Sequence, residues 1–239
     1  MIYIKTSTSS VSEIFDLIEL QNSNSIENLL VEIECNSLTL LPDKYATTAE
    51  VFFKQVQLLI GGRCEKYLDG YIKSLGIDRF NLSPYRNSIC HDLPAIADKI
   101  NSRTALLTFP CEPPHSASTN LIHFLNNSGN LNVNIYSRSI HLDYLAKDLS
   151  TFRFLGQLVG YNAKMNFSLL HFFIGSFNNS SGNASKLHSM NKHVLFRGDL
   201  AGQANRAEEA LKAIVEEKPL SSEEDYFSDM VSLIRAKQP

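Results

Sequence analysis

The sequence predicts an α+β fold, in which strands and helices are mixed without a strict strand–helix–strand alternation. Two observations favour this class. Apolar residues alternate or form short runs in some segments, which is typical of strands, and they recur at helical spacing in others. The order of these segments follows no regular pattern, and no internal repeat is present.

Length and composition set the domain organisation that we expect. The chain has 239 residues, of which 44% are hydrophobic and 20% are charged. These values suit a globular protein with a sizeable core. We therefore expect one domain over residues 1–200, followed by a helical extension over residues 201–239.

Charge and cysteine usage exclude several classes of partner and site. The net charge is −3 and the isoelectric point is about 6.2, so no broad basic surface for duplex nucleic acid is expected. The longest apolar run, at 169–175, is too short to cross a membrane, and the first ten residues lack the apolar core of a signal peptide. The four cysteines form no C-x-x-C pair, which predicts reduced thiols in the cytoplasm and no metal site.

Capping boxes mark two helices in the N-terminal half. The segments Ser10–Glu13 and Thr47–Glu50 each place a hydroxyl and a glutamate at the spacing that satisfies the first amides of a helix. A helix is predicted after each of them. Apolar patterning adds strands at 2–5 and 28–35 and a helix at 91–100, with Pro94 in its first turn.

The strongest local signal in the chain is a β-hairpin. Two strand-like segments, 119–125 and 130–137, flank the sequence Asn-Asn-Ser-Gly at 126–129, which is typical of a tight turn. In the second segment leucine, valine and isoleucine alternate with asparagines. One face of this strand is therefore expected to be buried and the other polar.

The remaining segments are assigned from their apolar spacing. Residues 149–161 have the spacing of a helix, and Asp148 in front of them can cap its N-terminus. Continuous apolar runs predict buried strands at 104–109 and 168–175. Charged sequence predicts two surface helices near the C-terminus, at 207–218 and 224–237.

Several motifs between Ser102 and Asn179 occur in the order of a known family. Ser102-Arg103 before an apolar strand resembles an S-R-R strand start, and GNLNVNIYSRS at 129–139 resembles a G-x-L-x-x-x-x-Y-x-R-S strand. LLHFFIGSFNNS at 169–180 resembles a strand ending in G-S-x-H-x-Y or G-D-x-H-x-Y. Over about a third of its length, the chain therefore resembles the thymidylate synthase and pyrimidine hydroxymethylase superfamily.

This resemblance implies a fold and an activity. The implied fold is a mixed sheet packed with helices, with a homodimer formed across the sheet. The implied activity is transfer of a methyl or hydroxymethyl group to a pyrimidine nucleoside monophosphate or a related phosphorylated metabolite. The implied one-carbon donor is 5,10-methylenetetrahydrofolate.

The resemblance also assigns substrate-binding residues. Arg138 and Ser139 match the arginine and serine that hold the nucleotide phosphate, and an arginine fork beside a hydroxyl suits a phosphate. Arg103 matches an arginine that reaches the phosphate bound by the other subunit, although the family's second arginine is Thr104 here. Without the resemblance, these arginines are ordinary surface or structural residues.

Two further positions concern the base and the sugar. Asp148 lies one residue from the base-reading asparagine of the family, and a carboxylate there suits the amino group of cytosine. A helix cap is the alternative interpretation of Asp148. The sugar-binding histidine and tyrosine of the family are replaced by Asn178 and Ser180, so the ligand carries a different sugar or none.

The nucleophile position departs from the family, whose chemistry needs a cysteine thiolate. Counting back from Phe124 places Ser118 at that position, whereas matching the proline pair places His115 there. Cys111 precedes the prolines and fits neither register. Ser118, Cys111 and His115 are therefore the candidate catalytic residues, with a strand-start hydroxyl as the alternative for Ser118 and a buried small hydrophobe as the alternative for Cys111.

Two classes of function follow. The first is a divergent one-carbon transferase on a pyrimidine nucleotide, or an enzyme of related chemistry in specialised biosynthesis. The second is a non-catalytic relative that binds a nucleotide or a protein, which the altered nucleophile favours.

Overall fold

A computed structural model describes residues 1–6, 14, 17–18, 20–21, 25–35, 38–40, 95–102, 104–108, 118–178, 190–192, 200–216, 218–219, 228 and 231. Its two long helices are α1 (Leu142–Ala163) and α2 (Leu200–Val215). A 3-10 turn covers Ile100–Ser102. The strands are β1 (Ile2–Thr6), β2 (Ser25–Glu34), β3 (Leu38–Leu40), β4 (Leu106–Thr108), β5 (Thr119–Asn127), β6 (Asn130–His141), β7 (Asn166–Asn178) and β8 (Met190–Lys192).

A mixed six-stranded sheet organises the fold, with strand order β1-β2-β7-β6-β5-β4. The pairs β1–β2 and β6–β7 are parallel. The pairs β2–β7, β5–β6 and β4–β5 are antiparallel. Strands β3 and β8 form a separate antiparallel pair. The predicted α+β class is confirmed.

The predicted hairpin is confirmed in detail. Strand β5 ends at Asn127 and β6 begins at Asn130, so the loop contains Ser128 and Gly129 alone. Both residues have positive φ, 53° and 88°, as a turn that follows the twist of the two strands requires. The side-chain Oδ1 of Asn126 accepts a hydrogen bond from the Gly129 amide at 2.8 Å.

One face of the sheet forms the core against helix α1. Val133 and Ile135 of β6, and Leu170 and Phe172 of β7, are all fully buried. Phe152 of α1 meets Phe172 edge to face, with ring centroids 5.6 Å apart. Because side chains alternate along a strand, the residues between these apolar positions point to the opposite face.

That opposite face carries a polar network, and we call it the open face. His171 of β7 lies between Asn134 and Glu32, with its ring nitrogens 2.9 Å from Asn134 Oδ1 and 3.1 Å from Glu32 Oε2. Lys5 and Tyr3 of β1 also bind Glu32, at 3.0 Å and 2.8 Å. Burial alone would raise the pKa of Glu32, but the hydrogen bonds from Lys5, Tyr3 and His171 outweigh it and hold that pKa below its usual value.

Helix α1 begins earlier than the sequence predicted. It starts at Leu142, directly after β6 ends at His141, because Leu142 and Leu145 extend the buried stripe by two turns. Asp148 therefore lies inside the helix, and the interpretation of Asp148 as its N-terminal cap is wrong. The helix ends where Lys164 becomes left-handed, with φ 54°, and the Met165 amide bonds to the Gly160 carbonyl at 2.8 Å.

Two other expectations about burial are corrected. The apolar run at 104–109 yields the edge strand β4, where Leu107 is buried but Leu106 is 45% exposed. An edge strand has one neighbour, so an apolar run need not be buried throughout. The helix predicted at 207–218 is α2, and it packs Ala207, Ala210 and other residues into the core instead of lying on the surface.

The other predicted elements have different outcomes. Strands predicted at 2–5, 28–35 and 168–175 are confirmed as β1, β2 and β7, and residues 95–99 are helical. Ile14, Leu17 and Ile18 are helical, as the first capping box predicts. The predictions for the helix after Thr47–Glu50 and for most of the helix at 224–237 lie outside the described residues. The division at residue 200 stays a prediction.

No helix in the described part of the chain has the length and apolar composition that crossing a bilayer requires.

The hairpin turn provides a test of the register that it sets. We expect Gly129→Ala to lower the free energy of unfolding by about 1–2 kcal/mol, because a side chain at positive φ is strained. Urea denaturation monitored by circular dichroism measures this change. Ser128→Asn is the matched control, since asparagine tolerates positive φ, and it should leave stability unchanged. Equal stability of Gly129→Ala and the control would contradict the turn.

Candidate functional site

Pairing across the sheet is interrupted along one row. Asn28 of β2, Gly175 of β7 and Arg138 of β6 lie side by side, and the residue pairs on both sides of them continue in register. On the far side of β6, the register with β5 shifts between Thr119 and Leu121, which makes Asn120 the extra residue of a bulge. We call Asn28, Gly175 and Arg138, together with the nearby bulge residue Asn120, the interrupted row.

The row is held by a close backbone approach. A Cβ atom at Gly175 would lie 2.7 Å from the carbonyl oxygen of Arg138. Only glycine therefore allows β7 to come this close to β6 at this position. On the other side of Gly175, Asn28 has a left-handed backbone with φ 57°. The absence of a side chain at Gly175 thus sets the short distance between β7 and the backbone of Arg138.

The beginning of β5 is tied to the same point. The amide of Arg138 donates a 2.9 Å hydrogen bond to the carbonyl of Ser118. The next pair of residues, Thr119 and Ser137, is buried, and their hydroxyls lie 2.8 Å apart in a hydrogen bond. The structure therefore brings together Ser118 and Arg138, two residues that the sequence assigned to catalysis and to phosphate binding.

A cavity of about 410 Å³ opens along the interrupted row. All four residues of the row line it. Its walls are apolar and come from three adjacent strands, through Leu29, Leu30, Tyr136, Phe173 and Ile174. Tyr136 and Phe173 are stacked, with ring centroids 4.8 Å apart and planes 6° from parallel. The cavity combines apolar walls with a few polar groups, which is typical of a small-molecule site.

Arg138 contributes a positive charge to this cavity. Its side chain is exposed, and among the described residues its guanidinium makes no ion pair or hydrogen bond. An arginine with all five N–H donors available can bind a carboxylate or phosphate in a bidentate manner. The cavity can therefore accept an anion at Arg138.

The other predicted site residues lie at different distances from this cavity. Ser139 follows Arg138 on β6, is exposed and faces Ser176 of β7. Asn178 ends β7 and pairs with His141, beyond the row. Asp148 is buried in α1 and does not line the cavity. Arg103, Cys111 and His115 lie outside the described residues.

Cys35, at the end of β2, is not a suitable nucleophile. It is 6% exposed, and burial raises the pKa of its thiol to about 12 although the nearby Arg153 acts in the opposite direction. A thiol with this pKa is protonated at neutral pH and unreactive. Cys35 therefore belongs to the core and not to the site.

Three site residues were missed by the sequence reasoning. A lone glycine within an apolar strand marks a bulge or a close backbone approach, and this signal could have identified Gly175. Asn28 and Asn120 carry no such signal. Their roles depend on the register between strands that are distant in sequence or bulged, and the sequence does not display that register.

The chain has a thymidylate synthase-like fold. The solved structure of thymidylate synthase from T4 phage shows this, since it matches with a TM-score of 0.55 and 12% identity, over 87% of this chain and 92% of that chain. The thermostable thymidylate synthase A from Bacillus subtilis matches with a TM-score of 0.48 and 11% identity, over 64% of this chain and 65% of that chain. No family model and no curated protein sequence matches the chain. At these identities the likeness shows the fold alone.

The close approach at Gly175 leads to a stability prediction. We expect Gly175→Ala to lower the free energy of unfolding by about 1–3 kcal/mol, because the added methyl group must push β6 away at Arg138. Ser176→Ala is the matched control on the next residue. It removes an exposed hydrogen bond to Glu27 of 2.9 Å and should cost no more than about 0.5 kcal/mol. Equal costs in urea denaturation would argue against the close approach.

Proposed function

We propose that this protein binds a pyrimidine nucleoside monophosphate and acts as a divergent one-carbon transferase. One observation carries the proposal: an exposed arginine without an ion pair among the described residues lines a cavity of about 410 Å³ within a thymidylate synthase-like fold. Arg138 holds the phosphate in this proposal, and the hydroxyl of Ser139 assists it.

The cavity supports a ligand of mononucleotide size. Its volume lies toward the lower end of the range of about 300–1,000 Å³ that is usual for small-molecule sites. The described residues of the cavity can therefore accommodate a ligand of the size of one nucleotide. The family resemblance implies 5,10-methylenetetrahydrofolate as the one-carbon donor.

The proposed chemistry begins at the loop that ends at Ser118. A nucleophile there would add to carbon 6 of the pyrimidine, which makes carbon 5 nucleophilic toward a one-carbon unit or a proton. The backbone bond between Ser118 and Arg138 supports this role, because it places Ser118 next to the proposed phosphate site. A serine requires a base for this step, and His115 is the proposed base. Cys111 is the alternative nucleophile.

The remaining predicted residues complete the proposal. Asp148 stays the sequence-based candidate for reading the cytosine base, although it is buried in α1 and is not among the residues that line the cavity. Asn178 would lie near the sugar. A homodimer across the sheet, as the resemblance implies, would bring Arg103 of one subunit to the phosphate on the other.

A second function is a non-catalytic nucleotide-binding protein. One observation favours it: the two registers place Ser118 or His115, and no cysteine, at the family's nucleophile position, and the alkoxide of serine is scarce at neutral pH. Binding would then depend on Arg138 in the same way, but no reaction would follow.

The phosphate site is tested by ligand-induced stabilisation. We expect cytidine and uridine monophosphates and their 2′-deoxy forms to raise the Tm of the wild type by mass action. Arg138→Ala should abolish this increase. Arg206→Ala is the matched control, because it removes the same charge from α2, outside the cavity, where Arg206 pairs with Glu209. No increase with any nucleotide, in a folded wild type, would sink the nucleotide proposal.

The nucleophile register is tested by Ser118→Cys. We expect this variant to catalyse exchange of the carbon-5 hydrogen of the bound pyrimidine nucleotide with solvent, because a thiolate forms near neutral pH far more readily than an alkoxide. Release of tritium from a 5-tritiated nucleotide measures the exchange, and Ser118→Ala is the control. A Ser118→Cys protein that binds the nucleotide but shows no exchange would place the nucleophile elsewhere. If the wild type binds the nucleotide through Arg138 but catalyses neither exchange of the carbon-5 hydrogen nor one-carbon transfer, the non-catalytic function is supported.

A further inference from the structure

Asn120 has a buried polar atom and is one of the residues that line the cavity. Its Oδ1 is inaccessible to solvent and has no hydrogen-bond partner among the described residues, and Asn120 lines the same cavity as Arg138. Exchanging the oxygen and nitrogen of the amide would bury a donor in place of an acceptor. The amide oxygen of Asn120 has an unmet hydrogen bond in this structure. Such groups are rare in folded proteins because leaving them unpaired is costly.

Other asparagines of the sheet are paired. Asn132 accepts a hydrogen bond from Ser168 at 3.0 Å, and Asn134 lies 2.9 Å from a ring nitrogen of His171. Both belong to β6, and each is paired with a residue of β7 on the open face. Asn120 differs because it is the extra residue of the bulge in β5. Bulges next to sites re-aim a side chain, and here the bulged residue both lines the cavity and has an unpaired amide oxygen.

We propose that Asn120 is a specificity-determining residue that pairs with a hydroxyl or N–H donor on the nucleoside part of the ligand. This inference rests on the proposed function, in which Arg138 binds the phosphate. Asn120 lies two residues beyond Ser118, whose carbonyl is bonded to the Arg138 amide, and two residues along a strand span about 6–7 Å. A sugar or base attached to a phosphate at Arg138 therefore comes within reach of Asn120.

A hydrogen bond to Asn120 would select a narrower class of ligand than binding to Arg138 alone. An isolated arginine binds any small anion, including inorganic phosphate. A buried amide that gains its hydrogen bond only from the ligand rejects ligands without a donor at that point, because the amide then stays unpaired. Asn120 thus discriminates between a phosphorylated nucleoside and phosphate itself.

The test combines stability with affinity in the Asn120→Ala variant. Without ligand, the Tm of Asn120→Ala should equal or exceed that of the wild type, because the substitution removes an unpaired buried group. Its affinity for the nucleoside monophosphate should fall about tenfold, which corresponds to one lost hydrogen bond. Its affinity for inorganic phosphate should not change. Isothermal titration calorimetry measures both affinities.

Asn132→Ala is the matched control on the same sheet. It removes a hydrogen bond that is already made within the chain, so it should lower the Tm and leave nucleotide affinity unchanged. Titration with ribose 5-phosphate shows whether the hydrogen-bond donor that pairs with Asn120 lies on the sugar or on the base. If Asn120→Ala weakens ribose 5-phosphate as well, the donor is a sugar hydroxyl, and if it weakens only nucleotides, the donor is on the base.

The outcomes separate the two proposals. Equal nucleotide affinity in Asn120→Ala and the wild type, together with loss of binding in Arg138→Ala, overturns the role of Asn120 and leaves the phosphate site intact. A lower Tm in Asn120→Ala with unchanged affinity gives Asn120 a structural role and also overturns the proposal. A wild type that binds no nucleotide overturns both.

Discussion

The contact between the backbones of Gly175 and Arg138 is the constraint on which the candidate site depends. Because Gly175 has no side chain, β7 lies against the carbonyl of Arg138 at a separation that any Cβ atom would prevent. The left-handed backbone of Asn28 lies on one side of this contact and the bulge at Asn120 on the other. The cavity runs along the same row, so the irregularity that weakens the sheet also forms the site.

The fold was predicted well where its determinants are local. The hairpin follows from four consecutive residues and from the alternation in β6, and both are visible in one short stretch of sequence. The start of α1 was missed because β6 passes into the helix without a loop, so no turn residue marks the boundary. The exposure of Leu106 was missed because an apolar run does not reveal whether a strand lies at the edge of a sheet.

The candidate site was predicted only in part, because local motifs mark some of its residues and not others. Arg138 and Ser118 come from motifs that the sequence displays, and the structure places them together. Gly175 and Asn120 acquire their roles only when β7, β6 and β5 are aligned. That alignment joins residues up to 55 positions apart, from Asn120 to Gly175, and single-sequence periodicity contains no information about it.

The pairing of β2 with β7 has a consequence for how the chain folds. Glu32 and His171 are neighbours in the sheet although 139 residues separate them, whereas the β5–β6 hairpin closes over a two-residue loop. During synthesis the hairpin can form at once, but β2 can pair only with β1, and its other edge has no partner until β7 has been made. Until then its apolar residues, including Leu29, Val31 and Ile33, are exposed to intermolecular pairing. The order of synthesis therefore requires that one edge of β2 be protected until β7 is made.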